Sequence, residues 1–305
     1  MLSDSEIDFR EVTPHVVATA MLPRMATGVS GKVAFVTGGA SGIGAALSTE
    51  LVDKGAEVWI ADRQIGLAEE LAQRLNSSGD GKAHAIELDV RGYPAFERAA
   101  AEAVHRSGRI DYLFNNAGIA ISGELDTYTL DDWNDVLDVN LRGVVHGIHA
   151  VYPIMIRQHA GHIVNTASFA GLVTSAGSVS YAATKHAVVA LSNTFRLEAE
   201  RHGVRVSVLC PGVIRTPILT GGAYGRKLTG VGDDEILRFW GPSRPMAPER
   251  FAERALRAVL RGDGVIVVPT WWKAIWYLER LSPALSMRAA RVPLKRIREL
   301  ASTAS

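Results

Sequence analysis

Residues 32–44 read KVAFVTGGASGIG, and the fold turns on this stretch. Val33, Ala34, Phe35 and Val36 make an unbroken apolar run, as a strand buried on both faces requires. After the turn glycines, residues 43–55 (IGAALSTELVDKG) carry helical spacing and close on Gly55. Strand, glycine turn and helix together form the first βα unit of a nucleotide-binding sheet. Thr37, Gly38, Ser41, Gly42, Ile43 and Gly44 lie where the backbone can approach a pyrophosphate at the N-terminus of a helix. The spacing is G-x-x-x-G-x-G rather than the commoner G-x-G-x-x-G. Alone, such a turn needs no ligand.

The alternation continues outward from this unit. Short apolar runs at 56–62, 83–90, 110–118, 161–168, 204–212 and 264–269 alternate with amphipathic stretches of helical period. Thr129 is placed to cap a long helix, with Asp132 reaching back from the third helical position. Pro248 suits the first turn of another. The pattern predicts a Rossmann-like, doubly wound, seven-stranded parallel sheet with helices on both faces. It fills a single catalytic domain over 31–268, between a loose arm (1–30) and a helical C-terminal extension (269–305).

Bulk properties narrow the function. The chain has 305 residues with 33 basic and 32 acidic side chains, so no global field draws it to nucleic acid. One cysteine, Cys210, fits a reducing compartment and reads as a small buried hydrophobe. The N-terminus carries acidic residues where a secretory signal needs basic ones. No run reaches the roughly 18 apolar residues of a spanning helix. The expectation is a cytoplasmic protein, able at most to touch a membrane peripherally.

Asp62 ends the second strand, 18 residues after Gly44. A carboxylate there accepts hydrogen bonds from the adenosine ribose and repels a 2′-phosphate. Arg63 beside it could stack on adenine or hold such a phosphate. Ser41, however, stands where a basic residue would most help NADP, so NAD is the favoured cofactor. The second constellation is YAATK, with Tyr181 and Lys185 one helical turn apart. A phenol is a poor base at neutral pH, and a neighbouring ammonium stabilises its phenolate. The pair suits proton transfer to or from an alcohol or carbonyl oxygen. Alone, Tyr-x-x-x-Lys recurs by chance on many helices. Here Ser168 ends the preceding strand, and NNAG (115–118) ends another, both at the sheet edge where such folds bind ligands. No His, Cys or Asp cluster has metal-ligand spacing.

With TGGASGIG, NNAG, LDVNLRG, NTASFAG, YAATK and CPGVIRTP in this order, the chain resembles the short-chain dehydrogenase/reductase family over about residues 30–268. The resemblance implies that Tyr181 is the general acid/base, Lys185 lowers its pKa and binds the nicotinamide ribose, and Ser168 orients the substrate oxygen. It implies that Asn140 holds a water linking Lys185 to solvent. Asp89 and Val90 would contact adenine, and Asn116, Ala117 and Gly118 would pack along the cofactor. Pro211 and Gly212 lead into Val213 or Ile214, which with Thr216 would hold the carboxamide. A homodimer or homotetramer is also implied.

The segment 216–246 is expected to be a mobile lid, with Ile218, Leu219, Tyr224, Phe239 and Trp240 available to line a pocket. Arg226 and Lys227 are the only nearby candidates for a clamp on a carboxylate or phosphate, and nothing in the segment resembles an arginine clamp. An apolar alcohol or ketone, steroid- or lipid-like, follows. The alternatives are an NADP(H)-dependent carbonyl reductase and a non-catalytic nucleotide-binding scaffold. Beyond Pro269 a Trp-rich helix is expected, then a second short helix ending at Val292 before Pro293. Residues 271–300 carry seven basic and two acidic side chains. That segment could dock on its own domain or a sister subunit, on a membrane interface, or over the substrate mouth.

Overall fold

The computed structural model describes residues 28–304, apart from 79, 228 and 229. The arm expected over 1–30 thus lies almost wholly outside the described residues. The first strand, β1 (Val33–Thr37), is followed by α1 (Gly42–Asp53), β2 (Glu57–Asp62), α2 (Ile65–Ser78), β3 (Lys82–Glu87), α3 (Tyr93–Ser107) and β4 (Tyr112–Asn115). A two-residue strand, β5 (Ile121–Ser122), precedes α4 (Leu130–Leu137) and α5 (Gly143–Gln158). Then come β6 (Gly161–Thr166), α6 (Val179–Ala199), β7 (Val204–Pro211), the short β8 (Arg226–Lys227), α7 (Asp233–Trp240), α8 (Pro248–Arg261) and β9 (Val265–Val268). The chain closes with α9 (Trp272–Leu281) and α10 (Pro283–Ala304).

Seven strands form one sheet in the order β3-β2-β1-β4-β6-β7-β9, every pair parallel. Burial on both faces explains why the strands read as continuous apolar runs. In β1, Ala34 and Val36 pack with Leu47 and Leu51 of α1 and Phe251 of α8. Val33 and Phe35 pack on the other face with Phe96 of α3 and Met155 of α5. The connection direction reverses between β1 and β4, which opens a crevice beyond their C-terminal ends.

Two local features depart from the sequence reading. The long helix after Thr129 keeps its capping box with Asp132, but Asp138–Arg142 form a π-helical turn between α4 and α5. Pro293 does not end a helix: α10 runs through it to Ala304. The missing N–H costs one hydrogen bond, while beyond it Leu294 and Ile297 are half-buried and Arg298 Nε donates to Glu124, tying the helix to the body of the protein.

Candidate active site

The glycine turn is shaped by close approach. Gly38 has φ +60°, and a Cβ there would lie 2.8 Å from Ala117 Cα; one at Gly44 would lie 1.9 Å from the Gly38 carbonyl. Thr37 Oγ1 accepts from the amides of Asn116 (3.0 Å) and Ala117 (3.1 Å), and Asn116 Nδ2 donates to the Thr37 carbonyl at 3.2 Å. The β1 and β4 ends are thereby stitched together with Ser41 and Ile43 opening α1. Thr216 closes over the turn, its side chain 3.2 Å from where a Gly42 Cβ would stand. Pro211 ends β7, Gly212 donates its N–H to the Val268 carbonyl at 2.9 Å, and Val213 is buried. Ile214 is buried in the core, and its carbonyl accepts from Thr216 Oγ1 at 3.4 Å.

Beside this turn lies a cavity of about 430 Å³. Gly38, Ser41, Asp62, Arg63, Asp89, Val90, Ala117 and Gly118 line it, all of them residues singled out in the sequence. Asp62 is buried, its carboxylate accepting from the amides of Ala40 and Gln64, each at 3.0 Å. Asp89 lies 3.6 Å from Arg63 and is hydrogen-bonded by Arg91, whose guanidinium holds its carboxyl below the usual value.

Tyr224 and Arg226, expected on the substrate side, stand instead in the opposite wall of this cavity with Ala223, Gly225, Asp135 and Val139, the last two unforeseen in the sequence. β8 pairs with β5 and draws this part of the lid over the cavity. Tyr224 therefore faces Arg63, its ring centroid 4.4 Å from the guanidinium, rather than a substrate pocket. Arg226 pairs with the buried Asp132 (2.6 Å) and with Asp135 (3.0 Å), while Lys227 pairs with Asp233. Two carboxylates one turn apart on α4 were the available sign of a cationic partner.

The second constellation converges at the same edge. Ser168 Oγ, which accepts from the Ala170 amide at 3.2 Å, stands near enough to the Tyr181 phenol to lower its pKa. Lys185 Nζ lies 5.5 Å from the Tyr181 ring centroid and donates to the Thr166 carbonyl at 2.9 Å. Asn140, fully buried in the π turn, clamps the Ile119 main chain through Oδ1 and Nδ2, both at 2.9 Å. A side chain at Gly118 would meet Asn140 Oδ1 at 3.3 Å and Lys185 Nζ at 3.4 Å. The turn that distorts the long helix thus seats Asn140 against NNAG, a common use of π bulges. Deeper support comes from a buried chain in which Asn115 donates to Asn165 (2.9 Å) and Asn165 to Ser192 (3.0 Å).

Burial governs the electrostatics. It pushes the Tyr181 phenol above its ordinary value, and Ser168 beside it offsets part of this. It also lowers Lys185 to about 8, with the Cys210 thiol beneath it pushed up to about 12. Among the described residues, no group of His, Cys, Asp or Glu is arranged to hold a metal ion.

Residues 32–223 match the family model described as short chain dehydrogenase. The chain belongs to the short-chain dehydrogenase family. As a member it is an oxidoreductase, and its seven-stranded parallel sheet is of the Rossmann-like kind. It is 38% identical over 194 residues to 2,5-dichloro-2,5-cyclohexadiene-1,4-diol dehydrogenase LinX of Sphingobium indicum, covering 64% of this chain and 77% of that one. An uncharacterized oxidoreductase of Listeria innocua is 36% identical over 241 residues, covering 78% and 94%. Among solved structures, a short chain dehydrogenase/reductase from Burkholderia phymatum in complex with NAD matches with TM-score 0.76 and 28% identity, over 85% of this chain and 96% of that one. The apo form of LigD from Sphingobium sp. strain SYK-6 matches with TM-score 0.70 and 28% identity, covering 84% and 97%.

The C-terminal extension packs on its own chain. Trp272 meets Phe169 edge-on, ring centroids 4.6 Å apart, and a Cβ at Gly212 would lie 2.6 Å from its Nε1. Trp276 is half-buried in the same cluster. On α10, Ile297 Cδ1 is 3.5 Å from the Cβ position of Gly177 in the loop before Tyr181, and Arg298 Nε donates to Glu124 at 2.8 Å. Arg296 sits 5.9 Å from the Phe239 ring in the lid. The hairpin of α9 and α10 therefore roofs the loops around Ser168 and Tyr181.

Proposed function

We propose that the chain is an NAD(H)-dependent dehydrogenase that interconverts an apolar secondary alcohol and its ketone, with Tyr181 as general acid/base. The observation that carries this is one sheet edge on which the Ser168–Tyr181–Lys185 group stands beside a cavity walled by the buried carboxylate of Asp62. The cavity accommodates an adenosine half: Asp62 is placed for ribose hydroxyls, Asp89 and Val90 for the base, and the glycine turn leaves backbone room for phosphates.

Bound nicotinamide supplies the hydride acceptor in oxidation and the donor in reduction. In oxidation the alcohol oxygen binds between Ser168 Oγ and the Tyr181 phenolate, and its proton passes to Tyr181. In reduction Tyr181 returns that proton to the developing alkoxide. The Lys185 ammonium, held by the Thr166 carbonyl, stabilises the phenolate and is placed for ribose hydroxyls. Asn140 keeps NNAG in register with the Lys185 amine.

Support for an uncharged, apolar substrate comes from two cations of the lid. Arg226 and Lys227 are both engaged by carboxylates. The roof over the site is built from Trp272, Phe169 and Ile297. The relative from Sphingobium indicum is named for a chlorinated cyclic diol, and the Burkholderia phymatum neighbour holds NAD. Arg63 at the cavity rim favours the second reading, NADP(H), since its guanidinium could hold a 2′-phosphate. Kinetics with both cofactors separate the readings. Asp62→Ala should lower kcat/KM for NAD by about 10- to 100-fold, the worth of one or two hydrogen bonds to a charged group. A wild-type preference for NADP would overturn the assignment of Asp62.

A further inference from the structure

The hairpin that roofs the site turns a second face away from the protein. Trp271, Ile275 and Leu278 form a ridge along α9, flanked by Ala274, Tyr277 and Leu281, and all six are exposed. Leu281 is 85% exposed. The charged residues Lys273, Glu279 and Arg280 lie off this ridge, so the outward arc of α9 is wholly uncharged. Eight of the fifteen large apolar side chains that stand exposed among the described residues lie between 271 and 292. Such concentration on one helical hairpin, five of the eight on α9 or at its start, marks a docking surface.

Charge identifies the occupant. Residues 271–300 carry a basic excess of five, and Arg288, Arg291, Lys295 and Arg296 are exposed along α10. A second copy docked across a twofold axis through this face would set two such excesses against each other. An anionic lipid surface meets them with the opposite sign, and exposed Trp and Tyr rings suit the headgroup region. Among the described residues no helix is long and apolar enough to cross a membrane, so the contact is peripheral. We propose that the outward ridge of α9, flanked by the basic residues of α10, docks the protein on an anionic lipid bilayer. The inner side of the same hairpin touches Phe169 and Gly177, which brings the substrate mouth close to the lipid. The surface itself stands whatever the substrate proves to be, and its test needs no turnover.

The test is co-sedimentation of the full-length protein with phosphatidylcholine vesicles, with and without an equal share of phosphatidylglycerol. Binding to the mixed vesicles, weakened by added salt, is expected. Ile275→Ser, Leu278→Ser and Leu281→Ser combined should lower partitioning more than about tenfold, because the apolar area that enters the interface is lost. The thermal midpoint and NAD binding should not change. Arg288→Ala with Arg291→Ala should lower partitioning by about 25-fold, fivefold for each charge. Full-length protein that stays in the supernatant with mixed vesicles would overturn the proposal. So would a triple variant that sediments like the wild type. A wild-type oligomer that the triple variant splits would assign the ridge to a second copy and overturn it too.

Discussion

Replacing Lys185 by Met should stabilise the protein while abolishing its activity, because burial charges the wild type a free-energy penalty for an ammonium. Lys185 falls from 10.5 to about 8 on folding, chiefly through desolvation. At 1.36 kcal/mol per tenfold, keeping the folded amine charged near neutrality costs about 3 kcal/mol. Methionine fills a similar volume without that cost. The lost bond to the Thr166 carbonyl returns about 1 kcal/mol. The expected net gain is about 2 kcal/mol near pH 7.

The sign follows from the two protonation curves. Below pH 8 the amine is charged in both folded and unfolded chains, so the full penalty stands. Between about 8 and 10.5 the folded chain has released the proton that the unfolded chain still binds, and wild-type stability rises with pH. At about pH 9.5 the penalty falls to about 1 kcal/mol, and the variant's advantage should nearly vanish. Urea unfolding of both proteins, cofactor-free and at equal concentration, measures this directly. A variant less stable than the wild type near neutrality, or a difference that does not change with pH, would refute the reasoning.

Two further outcomes concern the lid and the roof. Arg226→Ala removes the cation from the buried Asp132 and from Asp135; with Arg226 itself half-exposed, a loss of about 1 kcal/mol is expected. Burial would raise Asp132, but the Thr129 amide and hydroxyl and Arg226 outweigh it, so its contribution to stability should vanish as pH falls through the acid range below 3.8. Acid titration of folding in the two proteins tests this, with a flatter acid limb expected for the variant. Gly212→Ala places a methyl 2.6 Å from the Trp272 indole nitrogen. Overpacking by one methyl should cost about 1–3 kcal/mol in thermal unfolding and raise KM for the alcohol more than for NAD.

The sheet and the reacting groups were legible because each is written locally. A strand buried on both faces is a run of apolar residues, and the glycine turn and Tyr181–Lys185 are fixed spacings. The features that escaped are set by tertiary contact. The π turn at Asp138–Arg142 contains neither Gly nor Pro. Tyr224 was expected toward the substrate, yet the pairing of β8 with β5 aims it at Arg63, and two residues are too few to show a period. Pro293 reads as a stop until Leu294 and Ile297 are seen packed beyond it. The contacts of the tail with its own chain, Trp272 against Phe169 and Arg298 with Glu124, likewise join residues far apart in sequence.

The central claim is that Tyr181 moves the proton while the surrounding site binds the cofactor without it. NADH formation by Tyr181→Phe with an apolar secondary alcohol, measured beside NAD binding by the same variant, tests this most directly. Turnover should fall by about 100- to 10,000-fold, the range for a lost general acid/base, while NAD affinity stays close to that of the wild type. Wild-type turnover in the variant would contradict the account.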